Sequence, residues 1–119
     1  RDRSVSRGLG DVYKRQITAS VEGIQDISPA QVGDKSLLDT LIPAKEAFVE
    51  AKEAGKDFAE CLDAMNAAAE KGWQSTKDLV AKIGRASRLG ERSRGVLDAG
   101  ATSCYFIITT IGSTAKSLL

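Results

Sequence analysis

Between Gly84 and Ser103 the chain reads GRASRLGERSRGVLDAGATS, and the side chains suited to chemistry are concentrated there. Arg85, Arg88, Arg92 and Arg94 each offer a planar fork of donors that matches phosphate oxygens and always carries its charge. Glycines punctuate the run, and ordering a glycine costs more backbone entropy than ordering any other residue. A long connection rich in Gly and Arg fits a binding loop held by a rigid scaffold better than a simple link between elements. Asp98-Ala99-Gly100 stands directly before a segment with helical spacing, where a first turn leaves N–H groups unpaired and favours an anion. Gly100 lets a ligand approach the backbone, and Thr102 and Ser103 add hydroxyls. These groups suit a nucleotide or a sugar phosphate better than a metal ion. Two plainer roles stay open on spacing alone: Asp98 as a helix N-cap, and Glu91 with Arg92 and Arg94 as a solvated charge cluster. The spacing Gly84-x5-Gly90 matches neither a P-loop nor a dinucleotide fingerprint.

The rest of the composition narrows the chemistry. At 119 residues the chain is one domain or part of one. It has no histidine, which removes a histidine base and the usual zinc sites. Cys61 and Cys104 form no CxxC pair and read as two small buried thiols of a reducing compartment. Arg1–Gln16 holds five basic and two acidic residues, leaving 12 basic and 14 acidic in residues 17–119. No basic patch of the kind that binds nucleic acid survives that split. No apolar run approaches the ~20 residues of a membrane span, and no signal-peptide core is visible, so the expected location is the cytoplasm.

The elements that must position the loop read as helices. Arg1–Gln16 shows no helical or strand period and no initiator methionine; it reads as a non-native or disordered segment, outside the fold. Ile17–Gly23 reads as the end of an element, followed by a polar loop from Ile24 to Gly33. Asp34 is placed to N-cap a helix with the apolar set Leu37, Leu38, Leu41, Ile42, Ala44, Phe48 and Val49, while Asp39 reads as a helix-surface charge. Pro43 predicts a kink or a short first segment, and Gly55 a stop. A second helix is expected from about Lys56 to Lys82, carrying Phe58, Leu62, Met65, Ala69 and Trp73 on one face. Gly72 interrupts it at a tolerable cost of roughly 1 kcal/mol relative to alanine, and Gly84 is placed as its C-terminal cap. A third helix, Ala101–Leu119, has a wide apolar face that predicts central burial. Ile108 and its neighbours call for more partners than the other helices supply. Nothing alternates with period two, so the fold class is all-α, built from antiparallel helices.

Three stretches carry a resemblance: GDKSLLDTLIPA (Gly33–Ala44), AAAEKGWQSTKDLVAKIGRASRLGERSRG (Ala67–Gly95) and DAGATS (Asp98–Ser103). In content, order and spacing they resemble the nucleotide-binding, L-type domain of the dihydroxyacetone kinase family, in its C-terminal half, over residues 17–119. The resemblance implies a phosphotransferase domain folded as an up-and-down barrel of about eight helices, with ADP or ATP at one end. It also implies a separate K-type substrate domain that holds dihydroxyacetone, or a short ketose such as erythrulose, on a histidine. The donor is ATP in one branch of the family and a phosphotransferase-system phosphocarrier that recharges bound ADP in the other. Carried over by position, the nucleotide contacts fall on Leu37, Arg85, Asp98, Ala99 and Gly100. Arg85 takes the catalytic role, its guanidinium stabilising charge on the phosphoryl group in flight. Ala99 stands where the family usually has proline, which loosens the backbone but keeps the side chain and N–H of the motif. The family's magnesium-holding aspartates belong to a preceding half whose pattern is not found here. The chain alone is therefore expected to lack kinase activity that its longer parent has. A non-catalytic alternative is an ADP-binding partner of a transcription regulator, as in some relatives.

Overall fold

A computed structural model describes residues 3–27, 32–33, 35–79 and 94–118. Every regular element among them is helical: α1 (Arg3–Ile27), α2 (Leu38–Glu53), α3 (Phe58–Ser75), a single 3-10 turn (Thr76–Asp78) and α4 (Ala99–Ser117). The all-α fold expected from the periodicity is present.

The first helix departs most from the sequence reading. Arg3–Gln16 is not a disordered lead but the first part of α1, which runs to Ile27 rather than ending at Gly23. A stripe at three- and four-residue steps, Tyr13, Ile17, Val21 and Ile24, explains why: these residues are buried or pack on the core. Gly8, Gly10 and Gly23 interrupt the stripe in the sequence and obscure its period. Gly10 leaves room for the aliphatic stem of Lys52, whose ammonium pairs with Asp11 at 2.7 Å.

α2 and α3 form a hairpin closed by four residues, Ala54–Asp57. Gly55 adopts φ +84°, a conformation that suits glycine, and Asp57 caps α3 by accepting the Glu60 N–H at 2.8 Å. α2 continues unbroken through Pro43. Proline has no N–H to give the Asp39 carbonyl four residues back. Gly72 of α3 lies against that carbonyl so closely that a Cβ there would overlap it, and the same Cβ would stand 3.2 Å from Pro43 Cγ. The glycine that looked like a tolerated interruption is the point where the two backbones meet.

Phe48, Leu38, Leu62, Met65 and Cys61 fill the space between these helices. Tyr13 joins from α1, with ring centroids 4.9 Å from Phe48 and 5.8 Å from Phe58. α3 ends at Ser75, earlier than expected, and the chain turns through the 3-10 segment into extended backbone at Leu79. Val80–Lys82 and the proposed cap Gly84 lie outside the described residues.

α4 runs antiparallel to α3. Trp73 near the end of α3 stacks on Tyr105 near the start of α4 at 4.4 Å, while Asp63 pairs with Lys116 at the opposite ends. Gly112 seats on Asn66, where a Cβ would come within 2.5 Å of Oδ1. The expected central burial of α4 is not found: Ala101, Ile108 and Gly112 are buried, but Phe106, Ile107 and Ile111 are 57%, 60% and 47% exposed. The physical reason is that only one side of α4 meets α2 and α3. Its other side faces α1 across a groove.

Candidate functional site

The turn before α2 carries a capping box; the expected cap Asp34 lies outside the described residues. The spacing is Ser36-x-x-Asp39: Asp39 Oδ2 accepts the Ser36 N–H at 2.9 Å, and Ser36 Oγ accepts the Leu38 N–H at 3.3 Å. Asp39 Oδ1 also accepts the Gly33 N–H at 2.6 Å. Asp39 is thus buried at 2% exposure, not a surface charge, because its carboxylate satisfies backbone donors that the turn leaves open. The S-x-x-D signal was present in the sequence and points to this arrangement.

Opposite this turn stands the N-terminus of α4. Asp98 caps it, Oδ2 accepting the Ala101 N–H at 2.9 Å, while the Thr102 hydroxyl donates to the Asp98 carbonyl at 2.7 Å. The cap is tied to its neighbours at three further points. Asp98 N–H donates to Thr76 Oγ1 at 3.1 Å, Thr40 Oγ1 donates to the Ala101 carbonyl at 3.1 Å, and Trp73 Nε1–H donates to Thr102 Oγ1 at 2.7 Å. These ties join α2, α3 and the 3-10 turn to one helix end.

Leu37 and Gly100 meet here. A Cβ on Gly100 would lie 3.7 Å from Leu37 Cβ and 3.2 Å from Asp98 Oδ2, so the bare glycine leaves the space beside Leu37 open. Leu37, Asp98, Ala99 and Gly100, far apart in sequence, therefore share one end of the fold. Arg85 lies outside the described residues.

The electrostatics of the helix end are particular. The Asp98 carboxylate already occupies the first turn, so a phosphate there would meet a negative charge. The remaining first-turn amides, those of Ala99 and Gly100, suit uncharged acceptors, and Leu37 supplies an apolar contact. From Leu37 and Gly100 a cavity of about 530 Å³ runs on between α1 and α4, walled mainly by Ile17, Ile24, Leu41, Ile107 and Ile111. Cys104 lines it, and burial pushes its thiol up to about 11. Cys61, fully buried, is also raised, first by burial. Both are free thiols.

Among the described residues no group of three or more His, Cys, Asp or Glu side chains stands close enough to hold a metal ion. No helix among them is long and apolar enough to cross a membrane.

One buried residue next to the site was missed from sequence. Lys35, 2% exposed and at φ 60°, turns inward, its ammonium donating to the carbonyls of Leu79 at 3.1 Å and Val96 at 2.5 Å. A lysine after Gly-Asp looks like a solvated loop charge, and nothing local marks it as buried.

Comparison with known proteins matches this architecture to one family. The DAK2 domain family matches residues 9–113, which includes most of α1 and all of the site elements. The chain is 37% identical over 95 residues to the PEP-dependent dihydroxyacetone kinase, ADP-binding subunit DhaL, of Escherichia coli (strain K12), covering 80% of this chain and 45% of that protein. It is 38% identical over 88 residues to the PEP-dependent dihydroxyacetone kinase 2, ADP-binding subunit DhaL, of Listeria innocua, covering 74% and 40%. It is 34% identical over 96 residues to the L-erythrulose kinase of Pectobacterium atrosepticum, covering 81% and 16%. The chain thus spans less than half the length of these curated relatives. With its match to nearly the whole sequence, the chain belongs to the DAK2 domain family.

Proposed function

We propose that this chain supplies one wall of an ADP or ATP site in a dihydroxyacetone kinase-type phosphotransferase. The observation that carries this reading is the meeting of Leu37 with Gly100 beside the Asp98-capped start of α4, in a chain whose relatives include named ADP-binding subunits. The chemistry of the four grouped residues fits the nucleoside end of such a ligand. Leu37 offers an apolar face for the base, and Gly100 leaves space for it. The amides of Ala99 and Gly100, with the second oxygen of Asp98, offer hydrogen bonds to neutral groups of base or ribose. Phosphate charge falls to Arg85, whose permanently charged guanidinium is suited to stabilising the phosphoryl group during transfer.

The nucleotide supplies the phosphoryl group. Its acceptor is dihydroxyacetone or a similar short ketose such as erythrulose, held on a K-type partner, with ATP or a phosphotransferase-system phosphocarrier as the source. Magnesium would be held by residues beyond those described, and the 119-residue chain by itself is inactive.

The test is made in the full-length protein that carries this segment, together with its ketose-binding partner. Arg85→Ala is expected to lower transfer by about a thousandfold, the scale of a lost arginine finger. Leu37→Asp is expected to weaken ADP binding in calorimetry by at least about tenfold, from a charge placed against an apolar contact. Unchanged ADP affinity in Leu37→Asp, or unchanged transfer in Arg85→Ala, overturns the assignment. Robust turnover by the 119-residue chain with the same partner overturns its inactivity.

A further inference from the structure

Two pieces of chain that are remote in sequence must stay in register for Leu37 to face Gly100. One is the turn at residues 35–37, braced from within α2 by the Asp39 carboxylate. The other is Val96–Asp98, which leads into α4. Lys35 spans the two. It sits two residues before Leu37, and its Val96 acceptor sits two residues before Asp98. Its second acceptor, Leu79, follows the 3-10 turn whose Thr76 hydroxyl accepts the Asp98 N–H. The Gly95 N–H to Lys77 carbonyl bond, 2.6 Å, closes the same crossing.

We infer that Lys35 is a positioning residue of the nucleotide site: its buried ammonium fixes the start of α4 against the Leu37 turn and does not itself contact the ligand. This rests on the reading of the site as nucleotide-binding. An ammonium donates in several directions and accepts in none, so it joins carbonyl groups that could not bond one another. Buried charge is stable only when its donors are used, which makes the crossing specific. Such a lysine differs from one aimed at phosphate, since it acts equally on every part of the ligand that the two walls hold. Its backbone at φ 60° also marks the turn as one that ordinary side chains enter only when the surroundings require it.

The experiment measures ADP and adenosine affinity by calorimetry in the full-length protein, with Lys35→Met, Lys35→Gly and Lys35→Arg, well below each variant's melting temperature. Methionine keeps length without donors. Glycine relaxes the φ and so tests the backbone separately, and it stands in if the methionine variant does not fold. Arginine keeps donors on a long stem. The expected result is a loss of roughly tenfold for ADP and adenosine alike in the Met and Gly variants, the scale of a hydrogen bond to a charged group, with substantial recovery in Lys35→Arg. Wild-type affinity in a folded Met or Gly variant overturns the inference. So does a loss confined to ADP, which would make Lys35 a phosphate ligand. Failure of the wild-type protein to bind either ligand overturns instead the nucleotide reading on which the inference rests.

Discussion

Where α2 meets α3, the backbones approach so closely that Gly72 has no room for a Cβ beside the Asp39 carbonyl. Where α1 faces α4, a cavity of about 530 Å³ separates walls of isoleucine. Both regions are apolar, and apolar content alone would have treated them alike. The difference lies in what surrounds the side chains. Phe48, Leu62 and Met65 are enclosed on every side, whereas Ile107 and Ile111 have protein behind them and open space in front. The same kind of residue therefore carries very different weights in the two places, because the hydrophobic contribution follows the area removed from water. The contrast also separates the two jobs of α4. Its start is fixed by directional hydrogen bonds that serve the site, while its flank toward α1 is held by few contacts.

The sharpest way to break the contrast is in the closed region. Phe48→Ala removes a ring at 0% exposure and is expected to cost about 3–5 kcal/mol in urea denaturation. Gly72→Ala adds one methyl group to the same interface and is expected to cost about 3 kcal/mol, because a backbone carbonyl cannot step aside as a side-chain tip can. No cost, or the gain of up to about 1 kcal/mol usual for Gly→Ala inside a helix, would mean the helices separate freely.

The groove offers a chemical probe. With the Cys104 thiol pushed up to about 11, its reactive thiolate is scarce near neutrality. Alkylation at pH 8 is expected to lag an exposed thiol by on the order of a hundredfold, rising about tenfold per pH unit up to pH 10. A plateau below pH 9 would show that Cys104 is better solvated than the groove geometry implies.

Smaller effects test the polar end of α4. Asp98→Ala is expected to cost about 1 kcal/mol through loss of the cap and to shift the emission of Trp73, the single tryptophan, which bonds Thr102 in the same turn. Least of all, Ile107→Ala and Ile111→Ala are each expected to change the stability of this 119-residue chain by no more than about 0.5 kcal/mol. A cost near that of Phe48→Ala would show that the groove is closed in solution.

Much of the scaffold was legible because it depends on near neighbours. Gly55 after the α2 stripe and Asp98 before α4 act through the chain within four residues of themselves. The stripe of α1 is equally local, but its glycines obscure it. Ser36-x-x-Asp39 is equally local and readable as a cap. Of the site, the motif resemblance singled out Leu37 and Asp98–Gly100, and the fold brings them to one end. Thr40, Trp73 and Thr76, which tie the first turn of α4 to its neighbours through Ala101, Thr102 and Asp98, carried no signal, since ordinary threonines and tryptophans gain such roles only from what packs opposite.

What the sequence by itself determined is the helical class, the stop at Gly55, the Asp98 cap of α4 and the family, since each is written in short-range spacing or in motifs. What only the tertiary structure decided is which groups touch across the chain. Gly72 proved to be a contact between backbones, Asp39 a buried brace and Lys35 a crossing between two remote segments. The wide apolar face of α4 proved to be only partly covered. Periodicity tells a residue which way to point along its own helix; whether anything stands there is fixed by the other helices.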